Sequence, residues 1–208
     1  MRLLVEGSVP LNGSYQVAGS SNEAITLIAA SLLTDQAVTL HRAPQTAAVR
    51  QWLGMAQALG TQSTWDGSSI RLQTPRVTGR HISNAETNRM VASILFLAPI
   101  LAQRQHATLD WSQPLGRLFT HLTALRDLGF RIEVQGNRLN ITAQPWEQHD
   151  ITLMESSVTA TALVIMLSAV LGRQTTLRHA ASEPQIRALL ALLGRWACTL
   201  RGPAATCW

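Results

Sequence analysis

The sequence predicts an α+β domain of three β-α-β-α-β-β repeats, with apolar helices packed inside and sheets outside. Three observations carry this expectation. The stretches "VTLHRAPQTAAVRQWLGMAQALG", "ATLDWSQPLGRLFTHLTALRDLG" and "TTLRHAASEPQIRALLALLG" each open on Thr-Leu and close on Leu-Gly. The openings, at Thr39, Thr108 and Thr176, stand 69 and 68 residues apart, and the closes, at Gly60, Gly129 and Gly194, 69 and 65. A fixed period held over three copies marks a repeated structural unit. Second, each copy is preceded by a helix apolar nearly all round, over residues 21–33, 88–102 and 157–171, which belongs inside a core. Third, "FRIEVQGNRLNIT" alternates Ile132 and Val134, then Leu139 and Ile141, around a Gln-Gly-Asn turn, the pattern of a β-hairpin.

Each element has its own signal. A leading strand precedes each apolar helix. A short strand surrounds each Thr-Leu, a loop follows, and a second helix comes next. In the second copy that helix is amphipathic, with Leu115, Leu118, Phe119, Leu122, Leu125 and Leu128 at helical spacing. The hairpin closes the unit, so the repeats run over about 9–75, 76–147 and 148–208 of a single domain. The third hairpin, "RWACTLRGPAATCW", loses its alternation after Leu200 and is either an edge hairpin or a cut or shifted tail.

Composition narrows the function. The net charge of +5 comes from 17 arginines and no lysine, which excludes lysine chemistry within this chain. The arginines stand singly, without runs or interleaved aromatics, which argues against a nucleic-acid surface. No apolar run reaches the ~20 residues of a membrane span. The start "MRLLVEGSVP" lacks the pattern of a signal peptide, and both cysteines, Cys198 and Cys207, lie near the end. A cytoplasmic protein is the expectation. The histidines and cysteines show no metal-ligand spacing, and no cofactor is called for.

The helix entrances hold the candidate site. Ser20 and Glu23 have capping-box spacing, and a helix N-terminus so capped can also face an anion. Asn22 adds an amide donor there. Ser156 and Ser157 stand at the matching entrance of the third copy, and Thr87, Asn88 and Arg89 at that of the second.

"LNGSYQVAGSSNEAITLIAASLLTDQAVTLHRAP" resembles the amino-terminal signature of the enolpyruvyl transferases, especially those acting on UDP-N-acetylglucosamine. That signature reads, approximately, Leu-x-Gly-x-Val-x-x-x-Gly-Ala-Lys-Asn-Ala-Ala, an apolar helix, then Val-x-Leu-x-Asn-Val-Pro. The similarity continues through "MVASILFLAPILA", "PLGRLFTHLTALRDLG" and "TTLRHAASEPQI", to about residue 194. Family members carry six such units in two domains. The resemblance therefore implies one domain, with residues 1–8 a strand of the absent second one. It also implies transfer of an enolpyruvyl group from phosphoenolpyruvate to a nucleotide-sugar hydroxyl, through a tetrahedral intermediate, in a cleft between domains.

Residue by residue, Asn22 matches the family's asparagine, while the lysine before it is Ser21. Arg117 matches a phosphate-binding arginine if one loop residue is deleted and is the catalytic candidate. A second arginine falls at Val91, with Arg89 two residues away as its stand-in. The loop cysteine aligns at Gln113, with Asp110 nearby as a substitute acid. His121 matches a histidine after the nucleotide loop. Ser157 and Val158 match a nucleotide-contacting Ser-Val pair, whose following glycine is Thr159, and an expected aspartate is Ala48. The implied partners are phosphoenolpyruvate, a nucleotide-sugar and a second half-domain protein. Two alternatives remain: a non-catalytic, degenerate module binding a nucleotide-sugar or a protein, and an RNA-binding module, which only charge and fold analogy support.

Overall fold

The computed structural model describes residues 3, 4, 7, 8, 10, 12–83, 85, 91–145, 149–171 and 174–196. Its first helix, α1 (Ser21–Ser31), starts where the sequence places it, because Ser20 is extended and its Oγ accepts the Glu23 N–H at 3.3 Å. β1 (Val38–Leu40) follows, then α2 (Ala47–Ala58), capped by Thr46, and the hairpin β2 (Gln62–Asp66) and β3 (Ser69–Gln73). These strands form a sheet in the order β1-β3-β2.

The middle of the chain supplies β4 (His81–Ile82), a 3₁₀ helix (Val91–Phe96), α3 (Leu97–Arg104) and β5 (His106–Asp110). The continuous helix expected over 88–102 is thus divided, and its first three residues lie outside the described ones. Pro99 supplies the reason: it has no N–H to donate, and its ring clashes with a carbonyl four residues back. An α-helix accommodates it only in the first turn, where it stands here. A second 3₁₀ turn (Leu115–Leu118) leads into α4 (Phe119–Asp127), then β6 (Phe130–Gln135) and β7 (Arg138–Ala143). The hairpin register sets Ile132 opposite Ile141 and Val134 opposite Leu139, as the alternation requires. The sheet order is β4-β5-β7-β6.

The amphipathic reading of 115–128 needs one correction. Leu118, Leu122, Leu125 and Leu128 are buried, but Leu115 and Phe119 are 40% and 52% exposed. A 3₁₀ turn advances about 120° per residue instead of about 100°, so it takes Leu115 out of phase with the apolar stripe. The last part holds β8 (His149–Thr152), α5 (Val158–Leu171), β9 (Thr175–Arg178) and α6 (Pro184–Gly194). Nearly all of the third hairpin lies outside the described residues, as do four of residues 1–8.

The apolar helices sit inside. α1 packs on α2 and α6, while α3 and α4 pack on α5. Ile28, Ala29 and Ala30 of α1, Leu97 and Ile100 of α3, and Leu163 and Leu167 of α5 are all sealed from solvent. Trp52 of α2 meets Phe96 with ring centroids 5.2 Å apart, joining the first unit to the second. Gln103 makes a separate polar bridge, accepting the Val77 N–H at 2.9 Å and donating to the Leu32 carbonyl at 3.1 Å. Both backbone groups are thereby satisfied by one side chain, which is itself exposed at the junction. No helix among the described residues is long and apolar enough to cross a membrane.

Candidate functional site

Two of the three helix entrances are described. At the first, Ser20 caps α1, and Ser21 Oγ lies 3.1 Å from Thr46 Oγ1, so the position expected to carry a lysine ties the starts of α1 and α2 together. The Asn22 carbonyl accepts the Thr26 hydroxyl at 3.0 Å.

A groove of about 280 Å³ opens beside this entrance, lined by Val17–Ser20 and Glu23 on one side and Leu40–Pro44 on the other. Its walls meet at Gly19, where a Cβ would collide with the Arg42 carbonyl. Only glycine lets the two backbones come this close.

Arg42 is the feature that sequence reasoning missed. It stands at the asparagine of the Val-x-Leu-x-Asn-Val-Pro pattern, and its φ is +53°. Asparagine tolerates that left-handed conformation and arginine carries a Cβ penalty there. Arg42 is exposed and lines the wall of the groove opposite Ser20. The departure from the pattern at Arg42 was the signal available in the sequence.

At the third-unit entrance the structure brings several of the expected residues together. Ser157 caps α5 by accepting the Ala160 N–H at 3.3 Å. Val158 is the first residue of the helix. His121, from α4, reaches the same helix turn, its Nε2 2.6 Å from Thr159 Oγ1. Thr120 beside it donates to Glu155 Oε1 at 3.1 Å.

His121 is only 3% exposed, and its Nδ1 has no protein partner. Burial pushes its pKa down to about 4, against the opposing pull of the Glu155 carboxylate. It is therefore a neutral, buried imidazole at neutral pH, not part of an exposed polar face shared with Arg117. Thr159, where the pattern has glycine, supplies the hydroxyl that anchors it.

Arg117 lies on the exposed 3₁₀ turn and donates from Nη1 to Gln113 Oε1 at 2.7 Å. The catalytic candidate and the position aligned with the loop cysteine are thus bonded to each other. Asp110, the substitute acid, is committed elsewhere: it accepts from Arg138 Nε at 2.8 Å and lies 2.8 Å from His81 Nε2. Arg138 first, and then His81, hold its carboxyl below the usual range. A carboxylate so stabilised is ionised at neutral pH and holds no proton to give. Arg89 lies outside the described residues, with the rest of the second entrance from 86 to 90.

Comparison with known proteins decides the family. The sequence profile of EPSP synthase (3-phosphoshikimate 1-carboxyvinyltransferase) matches residues 5–205. The chain belongs to the EPSP synthase family. Within that family it is 32% identical over 204 residues to UDP-N-acetylglucosamine 1-carboxyvinyltransferase of Treponema denticola, a match covering 96% of this chain and 48% of the relative. The enzyme of the same name from Acinetobacter baylyi is 29% identical over 209 residues, covering 97% and 49%. The chain spans about half the length of the curated relatives it matches.

Among solved structures, the enolpyruvyl transferase NikO from Streptomyces tendae superposes with a TM-score of 0.79 at 17% identity, over 93% of this chain and 47% of that one. EPSP synthase from Acinetobacter baumannii gives 0.56 at 13% identity, over 76% and 38%. These likenesses establish the α+β enolpyruvyl transferase fold.

Proposed function

We propose that this chain is a diverged homologue of UDP-N-acetylglucosamine 1-carboxyvinyltransferase, binding phosphoenolpyruvate and a nucleotide-sugar and needing a second lobe for transfer. One observation carries this reading: similarity to those enzymes runs through 96% of this chain yet covers 48% of the relative. Enolpyruvyl transfer adds a sugar hydroxyl to C2 of phosphoenolpyruvate while C3 gains a proton. The tetrahedral adduct then loses phosphate and a C3 proton. It requires cations around the phosphate, an acid for the vinyl carbon and a base for the hydroxyl.

On this side of the cleft, Arg42 and the α1 entrance with Asn22 supply a phosphate-facing surface, and Arg117 a second cation. Arg89 belongs with them by its place in the sequence. The α5 entrance, with Ser157 and Val158 preceding the Thr159 that bonds buried His121, holds the nucleotide portion. A second reading, a non-catalytic nucleotide-sugar module, is favoured by the acid positions: the Gln113 amide has no acidic proton to transfer, and Asp110 is held ionised by Arg138 and His81.

The two readings separate on one pair of measurements. Calorimetry with UDP-N-acetylglucosamine should show saturable binding weakened by Ser157→Ala. Phosphate release from phosphoenolpyruvate, with this chain alone and with a complementary lobe added, then tests transfer. Absence of binding sinks both readings; binding without phosphate release in either mixture leaves the non-catalytic one.

A further inference from the structure

The strands that lead into the apolar helices are not treated alike. β4 lies parallel on β5, with Ile82 opposite Leu109, and β8 lies parallel on β9, with Ile151 opposite Leu177. In both cases the strand before the helix covers the outer edge of the strand after it. In the first sheet no strand among the described residues takes that place. β1 is terminal in the order β1-β3-β2, and among the described residues it pairs with β3 alone. Its other edge presents backbone N–H and C=O groups that a further strand would satisfy.

The segment due at that edge is present but turned away. Residues 14–20 carry no strand pairing, and Tyr15 and Val17 are 86% and 78% exposed. The departure point is fixed at Gly19, pressed against the Arg42 carbonyl just past the end of β1. Tyr15 and Val17 stand two apart, so on an extended chain they share one face. Val38 and Leu40 of β1 have the same period and are the residues it buries. Leu3 and Leu4, 76% and 79% exposed, extend the apolar surface of this end of the chain.

We propose that two copies of this chain exchange these segments. Residues 12–18 of each copy add in parallel to the open edge of β1 in the other, with Tyr15 and Val17 on the face that buries Val38 and Leu40. The occupant is a second copy because donor and acceptor sit on one chain. The contact is therefore self-complementary and closes with two-fold symmetry. Exchange also reproduces the pairing that β4 and β8 already make in the other two sheets. This proposal rests on the sheets and not on the enzymatic reading, and its test uses no ligand.

Light scattering of the full chain over a wide concentration series should give a species of twice 22.7 kDa that dissociates on dilution. Amide exchange at the outward N–H groups of Val38–Leu40 should slow as that species forms. The pair Tyr15→Asp and Val17→Asp places two carboxylates on the docking face. Both residues are exposed in the single copy, so this variant should remain folded, with an unchanged unfolding transition, and lose the doubled species. A monomer at every concentration overturns the proposal, whether the β1 amides exchange freely or are protected by the chain's own segment folding back. So does a dimer indifferent to the double substitution, and so does growth beyond two copies.

Discussion

Acid should unfold this protein through His121 in a way that a single substitution removes. The imidazole is 3% exposed, and burial lowers its pKa from the ordinary 6.5 to about 4. The unfolded chain takes up the proton near pH 6.5, and the folded one resists it until near pH 4. Between those values the unfolded state binds more protons, so stability falls as the pH falls. The contribution is complete above the unfolded value and is lost on descending toward the folded one. Each pH unit of separation is worth about 1.4 kcal/mol, so 6.5 against about 4 gives about 3 kcal/mol, a large share of the ~5–15 kcal/mol that holds a domain together.

His121→Gln keeps an amide donor within reach of Thr159 Oγ1, to which Nε2 now lies at 2.6 Å, and cannot titrate. Urea unfolding followed by fluorescence of the six tryptophans, at neutral pH and near pH 4, gives the comparison. The wild type should lose about 3 kcal/mol more than the variant over that interval. Other acid-sensitive pairs, such as Asp110 with Arg138, are common to both proteins and cancel in the difference. Equal losses would refute the argument, since they would mean that His121 takes its proton as easily folded as unfolded.

Further substitutions probe the remaining features. Arg42→Asn should raise stability by about 0.5–1 kcal/mol, because asparagine accepts the left-handed φ of +53°; thermal unfolding should move up by ~1–4 °C while affinity for phosphoenolpyruvate falls. Gly19→Ala should cost about 1–3 kcal/mol in denaturant titration, since its methyl has no room beside the Arg42 carbonyl. Ser21→Lys restores a cation at the α1 entrance and should tighten phosphoenolpyruvate binding by ~10-fold or more in calorimetry, in keeping with charge-assisted hydrogen bonds. Trp52→Phe should cost well below the ~3–5 kcal/mol of a Trp→Ala truncation, because the buried Nε1 of Trp52 has no partner to lose and the contact with Phe96 survives.

What could be read in the sequence was whatever is set by neighbours along the chain. The β6–β7 hairpin follows from alternation around a short turn, and the α1 start from a serine three residues ahead of Glu23. The apolar helices at 21–33 and 157–171 announce their burial by being apolar all round. Legibility failed where a local exception changed the period. Pro99 converts the first part of one expected helix into a 3₁₀ segment, and the 3₁₀ turn at 115–118 sends Leu115 outward. The site was less legible because it depends on what lies across the fold. The burial of His121 is created by α5, whose Thr159 stands 38 residues further on, and the conformation of Arg42 is a backbone sign that side-chain chemistry does not display.

Three of this chain's departures from its family's pattern share one physical feature. Ser21, in place of a lysine, bonds to Thr46 at the start of α2. Gln113, in place of a cysteine, accepts from Arg117. Thr159, in place of a glycine, anchors His121. Each departure puts a neutral hydrogen-bonding group where the pattern has a charged, reactive or absent side chain, and each finds a partner within the protein. A lysine at an entrance must be held unpaired and hydrated until a phosphate arrives, which adds repulsion to a chain already carrying +5. A serine bonded to the next helix cap carries no such charge. These three substitutions therefore keep local hydrogen bonds without adding charge, whereas Arg42 does the opposite beside the α1 entrance. Under the proposed function, that suits a lobe that orients a ligand while the groups moving protons belong to another surface.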